Sequence, residues 1–412
     1  MRFLLGLLLV FSAIAQPLRS PVPGRWGGSL TVSQRAEPRT YNPVTALDNP
    51  SREIIRLFLS DLVHINRETM RTEPALAESW TTSRDGKSIT VRLRAGLKFS
   101  DGVALSAADV VFSFRLYLDE KIASPQRDLL LVGGQPLVVT PLNERTIRFD
   151  FAEPYAPAER LFDSLFILPK HKLESAYQEG KLASAWGLST PPAELVGSGP
   201  FRLVSYQSGD RAILERNPHY WKTGAGGRPL PFLDRLQIRF LPDAHAEVLQ
   251  FRGGSLDLLT RIPAPSFTRL AAELPASRFA FHDSGVSLEY HFLFFNLNTN
   301  AVPRSVQPKQ RWFRDPAFRR AISLATDRDA IRRLVFAQRA ASIWQPVSPA
   351  QSAWFNDRLP RPARSTNAAR QLLTNASYRW NAEGRLLDSS GAAVEFTIAV
   401  NAANAQHRQI AT

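Results

Sequence analysis

The chain has 412 residues, 44% of them hydrophobic and 10% aromatic, with 51 Lys and Arg against 37 acids for a net charge of +14. That much apolar material excludes a disordered chain, and the length points to two or three packed domains. The lack of cysteine excludes disulfides, a thiol nucleophile and a lipid carried on an N-terminal Cys. The basic residues are scattered, with no run of five or six, which argues against nucleic acid as a partner.

In chain order, the first element reads as an export signal. Arg2 is a thin positive region, Phe3 to Phe11 an apolar one, and Ala13-Ile14-Ala15 a small-residue cleavage site, so the mature chain is expected to begin near Gln16. The apolar stretch is too short for a bilayer, which takes about 20 residues. Gly28 to Val32 alternates as a strand and runs into a turn from Glu37 to Pro43. Ser51 is expected to cap a helix carrying Ile54, Ile55, Phe58, Leu59 and Leu62 at helical spacing. Ile89, Val91 and Leu93 alternate with polar residues as a half-buried strand. Ser106 and Asp109 resemble a capping box that opens a helix with Val110, Val111, Phe114, Tyr117 and Leu118 on its apolar stripe.

Thr146 to Phe151 is another alternating strand. Phe201 to Tyr206 and Arg211 to Glu215 form a hairpin around Ser208-Gly209-Asp210, followed by a strand with Leu236, Ile238 and Phe240. A helix from Ala244 ends at Gly253-Gly254. Phe292 to Phe295 reads as a strand buried on both faces. Asp315-Pro316 opens a helix, Asp327 restarts it, Ala368 to Leu373 is helical and Phe396 to Val400 extended. Strands alternate with helices throughout, which makes the class α/β.

The signatures of common chemistry are missing from the sequence. It contains neither a Gly-x-x-x-x-Gly-Lys-Ser/Thr loop, a Gly-x-Gly-x-x-Gly cradle nor a Gly-x-Ser-x-Gly elbow. The seven histidines, at 64, 171, 219, 245, 282, 291 and 407, show no ligand spacing and read as surface or hydrogen-bonded residues. The expectation is therefore a protein with no catalytic residues, no metal and no cofactor.

A series of ordered blocks then carries a family resemblance. Leu76-Ala77-Glu78-Ser79-Trp80, Asp85-Gly86, Leu93 to Gly102 and Ala108 to Phe114 are followed by Gly197-Ser198-Gly199-Pro200-Phe201 and Asn217-Pro218-His219-Tyr220-Trp221. Phe251 to Asp257, Phe295-Asn296 and Phe313 to Arg328 complete the set. Together they closely resemble the family 5 extracellular solute-binding proteins, the dipeptide, oligopeptide and nickel binders of ABC importers.

The resemblance implies a two-lobed α/β binding-protein fold of type II, cluster C, with an extra inserted domain. Residues 1–15 would be the signal peptide, 24–48 and 162–261 lobe I, 49–161 the inserted domain and 262–412 lobe II. Because family members run longer, the chain is expected to lack the returning segment of lobe I and part of lobe II. The function implied is capture of a di- or oligopeptide in the interlobe cleft and delivery to the permease, by a monomeric, unlipidated periplasmic protein. Nickel chelates, opines or sugars on the same fold, or a sensory role without a transporter, remain open at this level.

A peptide cleft needs strand edges, converging polar groups and aromatics, and loops after strands supply them. On that ground Glu37, Tyr41 and Asn42 after the first strand, Asn296 and Asn298 after the Phe292 run, and Trp344 and Trp354 in a Pro-rich loop are the candidate ligand contacts. Turn capping and core packing compete with that role at each position.

Overall fold

The computed structural model describes residues 24–67, 69–298, 303, 306–401 and 404–412, so the expected export segment lies outside the described residues. Two compact units divide the chain, Met1–Thr260 and Arg261–Thr412. Among the described residues no helix is long and apolar enough to cross a membrane.

The first unit runs β1 (Ser29–Gln34), α1 (Asn49–Phe58), β2 (Val63–Ile65), β3 (Thr72–Pro74), β4 (Ala77–Thr82), β5 (Ser88–Leu93) and α2 (Ala107–Leu118). It continues through β6 (Leu131–Val132), β7 (Gln135–Pro136), β8 (Val138–Asn143), β9 (Thr146–Asp150) and α3 (Lys170–Gln178), then β10 (Phe201–Gln207), β11 (Arg211–Arg216), β12 (Arg235–Phe240) and α4 (Ala244–Arg252). One sheet has the order β1-β12-β11-β10. Its β1 and β12 are parallel, pairing Leu30 with Leu236 and Val32 with Ile238, although the chain between them builds most of the unit. The β10–β11 hairpin and the antiparallel β11–β12 pair complete the sheet.

The second sheet, β4-β5-β9-β8, is antiparallel throughout. Ile89, Val91 and Leu93 are fully buried while Arg92 is exposed, the alternation that a period of two dictates for a sheet covered on one face. The cover is α2, whose Phe114 meets Phe149 edge-on at 4.9 Å; Phe149 in turn lies 4.6 Å from Phe162. The expected capping box opens α2: Ser106 Oγ accepts the Ala108 N–H, and Asp109 accepts the Ser106 N–H at 2.9 Å. A single apolar core runs through both four-stranded sheets of this unit.

At α1 the cap differs from expectation. Asp48 holds the N-cap and accepts the Ser51 N–H at 2.8 Å, while Ser51 sits inside the first turn. The Ser51 hydroxyl instead accepts the N–H groups of Arg39 and Thr40 at 2.8 and 3.2 Å, fastening the preceding turn to the helix. The far end of α1 explains the Gly-Ser-Gly block. A Cβ on Gly197 would stand 1.9 Å from the Phe58 carbonyl oxygen, and one on Gly199 would stand 2.5 Å from the Phe58 carbonyl carbon. Only glycine permits that approach, which lets the Gly199 N–H reach Phe58 O at 2.9 Å. Asn217, fully buried, then donates to Gly199 O at 2.8 Å, so two separated sequence blocks close on one contact.

The second unit contains α5 (Ala264–Glu273), α6 (Gln307–Arg314), α7 (Pro316–Ala325), α8 (Arg328–Leu334), α9 (Thr366–Asn375), β13 (Arg379–Trp380), β14 (Leu386–Leu387) and α10 (Ala405–Ala411). Asp315 caps α7 by accepting the Ala317 N–H at 2.8 Å, with Pro316 in the first turn, and Asp327 caps α8. Helices α7 and α9 pack together. The core is small, formed by Trp312, Phe313, Phe318, Ala321, Ala369, Leu373 and Tyr378. Beneath it lies Asp388, only 3% exposed, which accepts the Trp312 indole N–H at 2.7 Å and pairs with Arg311.

Two expected strands of this unit do not form as strands. Phe292 to Phe295 and Phe396 to Val400 run without ladder partners among the described residues. Phe295 packs on Phe313 and Phe318, but Phe292 is 68% and Phe294 75% exposed, so the apolar run is buried at neither face along its length. Phe396 likewise reaches Phe313 at 5.7 Å while Ile398 and Val400 stay exposed. An apolar run becomes a two-face-buried strand only where neighbouring strands accept its backbone and layers cover both sides.

Candidate functional site

The seven residues expected at the ligand divide sharply by environment. Tyr41 is fully buried, with its ring edge-on to Phe58 at 6.3 Å and Tyr206 at 5.9 Å. Burial raises its phenol above the ordinary range. Its hydroxyl has no hydrogen-bond partner among the described residues. Asn42 is 3% exposed; its amide donates to Leu182 O at 2.7 Å and Ala185 O at 3.2 Å, and its oxygen accepts the Val44 N–H at 3.0 Å. All that side chain's strong bonds serve its own fold. Glu37 accepts the hydroxyls of Tyr206 and Ser208. Its carboxyl is held below the usual range, first by the Tyr206 bond and then by the Gly209 N–H. The loop after β1 is thus tied to the β10–β11 hairpin by Glu37.

On the second unit the nominated side chains are more open. Asn296 is exposed and accepts the Asn298 N–H at 3.1 Å, an Asx turn in the extended run. Trp344 is half-buried with Arg328 over its ring at 5.4 Å, and its indole N–H is buried without a partner among the described residues. Trp354 is 67% exposed. Within each unit, therefore, Glu37, Tyr41 and Asn42 share one loop, and Asn296 shares a turn with Asn298.

Sequence spacing singled out no further site, yet the first unit brings another set of groups together. A cavity of about 250 Å³ is lined by Arg56, Leu59, Ser60, Asp61, His64, Arg67, Ala75, Ser164, Phe166, Pro200, Tyr220, Trp221 and Lys222. Five pieces of chain converge there: the end of α1 with the turn into β2, Ala75, the segment from Ser164 to Phe166, Pro200, and the residues after β11. Asp61 and His64 of that lining, together with Asp163, each present a donor atom, all within 4.8 Å of one another. Asp61 accepts the Ser164 N–H at 3.0 Å. Asp163 accepts the Ile65 N–H and an Arg67 N–H, both at 2.9 Å, and lies 3.6 Å from the His64 ring nitrogen.

The electrostatics are uneven. Burial pushes the Asp61 carboxyl up to about 7; the Ser164 N–H opposes this, and the charge of Asp163 adds to it. Burial lowers His64 against the pull of Asp163, and lowers the Lys222 amine. Tyr220 is raised by burial and by Asp61. Arg94 stacks over Trp221 at 4.5 Å behind the wall. Sequence reading could have noted Asp61 and His64 three residues apart, but Asp163 joins them only through the fold.

Comparison with known proteins bears on the whole chain. Residues 71–412 match the family described as "Bacterial extracellular solute-binding proteins, family 5 Middle". The oligopeptide-binding protein AppA of Bacillus subtilis is 26% identical over 391 residues; the match covers 93% of this chain and 66% of AppA. This chain therefore spans just under two thirds of that relative's length. The solved structure of AppA in complex with a nonapeptide superposes with a TM-score of 0.67 at 25% identity, covering 90% of this chain and 68% of the other. NikZ of Campylobacter jejuni, in complex with Ni(L-His), gives a TM-score of 0.70 at 22% identity, covering 93% and 70%. The fold is accordingly that of the type II periplasmic binding proteins, as the sequence blocks implied. With its match over residues 71–412, this chain belongs to the bacterial extracellular solute-binding proteins of family 5.

Proposed function

We propose that the protein captures di- or oligopeptides outside the cytoplasmic membrane, passes them to the permease of an ABC importer, and carries out no reaction on them. The observation that carries this reading is the likeness to AppA in both sequence and structure, the solved relative holding a nonapeptide. Capture and release need only that ligand contacts favour one conformation of the protein over another, with no covalent step. The expected export signal supports a protein that works in the periplasm. Of the nominated contacts, Asn296, Asn298 and Trp354 are exposed, Trp344 is half-buried, and Glu37 stands at the edge of its loop. Tyr41 and Asn42 act by holding that loop in place.

Native mass spectrometry of protein exported to a host periplasm tests the proposal. A ladder of peptide-sized adducts that disappears on denaturation is the expected result. It should thin markedly in Trp354→Ala, whose exposed side chain leaves the core untouched. One sharp adduct mass of non-peptide composition would replace the peptide reading with the chelate, opine or sugar class. Turnover of added peptide by the pure protein would overturn the proposal.

A further inference from the structure

We propose that Asp61, His64 and Asp163 form a binding site for a divalent first-row transition ion, in the first unit and independent of peptide capture. Two carboxylates and an imidazole are the donor types such ions take, and here their donor atoms lie within 4.8 Å of one another. Ligands about 2 Å from a shared ion cannot stand more than about 4 Å apart, so the widest pair closes by less than about 1 Å, within reach of side-chain rotation.

Two further features mark the group as built. Both carboxylates are aimed by groups outside the donor set, Asp61 by the Ser164 N–H, and Asp163 by the Ile65 N–H and Arg67. Such outer partners fix the ligands of metal centres. Ser164 donates that N–H from a left-handed backbone, φ 66°, a conformation unfavourable for a residue with a Cβ. Strain of this kind persists where the surroundings over-determine it. The neighbouring cavity of about 250 Å³ leaves room for the waters that would complete the coordination.

The surroundings also select the class of ion. Arg56, Arg67 and Lys222 line the same cavity and repel a cation held by charge alone. Ca²⁺ and Mg²⁺, bound by oxygen and charge, are disfavoured there; an ion that gains a strong directional bond to imidazole is not. Zn²⁺ and Co²⁺ fit that requirement.

Co²⁺ titration of the untagged full-length chain, followed by visible absorption, tests the site. One ion per chain is expected, displaced by Zn²⁺ but not by Mg²⁺. His64→Gln, at an exposed position that leaves the core intact, should weaken binding by at least about tenfold. His64→Cys should restore it with a thiolate charge-transfer band. The control is His407→Gln, because the His407 and His291 rings lie 3.2 Å apart, nitrogen to nitrogen, and offer a competing pair. Unchanged binding in that variant is expected. No Co²⁺ binding by the natural chain, binding indifferent to His64→Gln, or binding abolished by His407→Gln would each overturn the proposal. None of these results depends on whether the protein takes peptides.

Discussion

Asp388 shows how a buried charge becomes a structural bond rather than a liability. Burial alone would raise its carboxyl, but donation from the Ser390 hydroxyl, the Trp312 indole and the backbone N–H groups of Ala392 and Ser390 brings it down to about 2. A carboxyl lowered by folding adds stability above its ordinary value near 4, and the gain fades as pH falls through 4 toward 2. For a shift of nearly two units the contribution is about 2 kcal/mol at neutral pH. Urea unfolding of Asp388→Asn, followed by tryptophan fluorescence, should show that loss at pH 7 and a much smaller one at pH 2.5. An equal loss at both values would separate the bond from the charge. At the same scale, Asn42 illustrates why a loop residue's role is hard to read from its sequence. Asn in a loop after a strand suits either a ligand or its own backbone, and the acceptors it meets, Leu182 O and Ala185 O, come from a distant stretch of chain.

Elements were more legible than sites, because caps and periodicity are local. Ser106 and Asp109 announce α2, and Asp315-Pro316 announces α7, within a few residues of sequence. The shift of the α1 cap from Ser51 to Asp48 follows from two good caps standing three residues apart, which propensity cannot rank once the Ser51 hydroxyl has another use. Glycines also declare their reasons only in contact. Gly197→Ala should cost about 3 kcal/mol, since the new methyl meets the Phe58 carbonyl at 1.9 Å and the end of α1 must retreat. Gly209→Ala, where the new Cβ meets nothing within 4 Å but φ is +75°, should cost only about 1–2 kcal/mol of backbone strain. Thermal melts of the two variants would compare them, and equal shifts would refute the close-approach account.

At the scale of the molecule, burial is unequally shared. The first unit has one core through its two four-stranded sheets, whereas the second rests on a small cluster with extended apolar segments beside it. Amide hydrogen exchange should therefore be slowest in β5, β9, β11 and β12, and fast through residues 290–298 and 396–400, where no strand among the described residues supplies a ladder. Protection of those two segments equal to that of β5 would contradict the description.

From sequence alone came the α/β class, most strands and helices, and membership of family 5, since turns, caps, alternation and ordered motif blocks are properties of neighbouring residues. Tertiary structure decided what those blocks do. It turned Gly197-Ser198-Gly199 and Asn217 into one contact at the end of α1, and put Tyr41 and Asn42 in the core. It also left Phe292 and Phe294 in solvent and set Asp163 beside Asp61 and His64. Each of these depends on which distant segment arrives at a residue's side, and burial and charge act through space rather than along the chain.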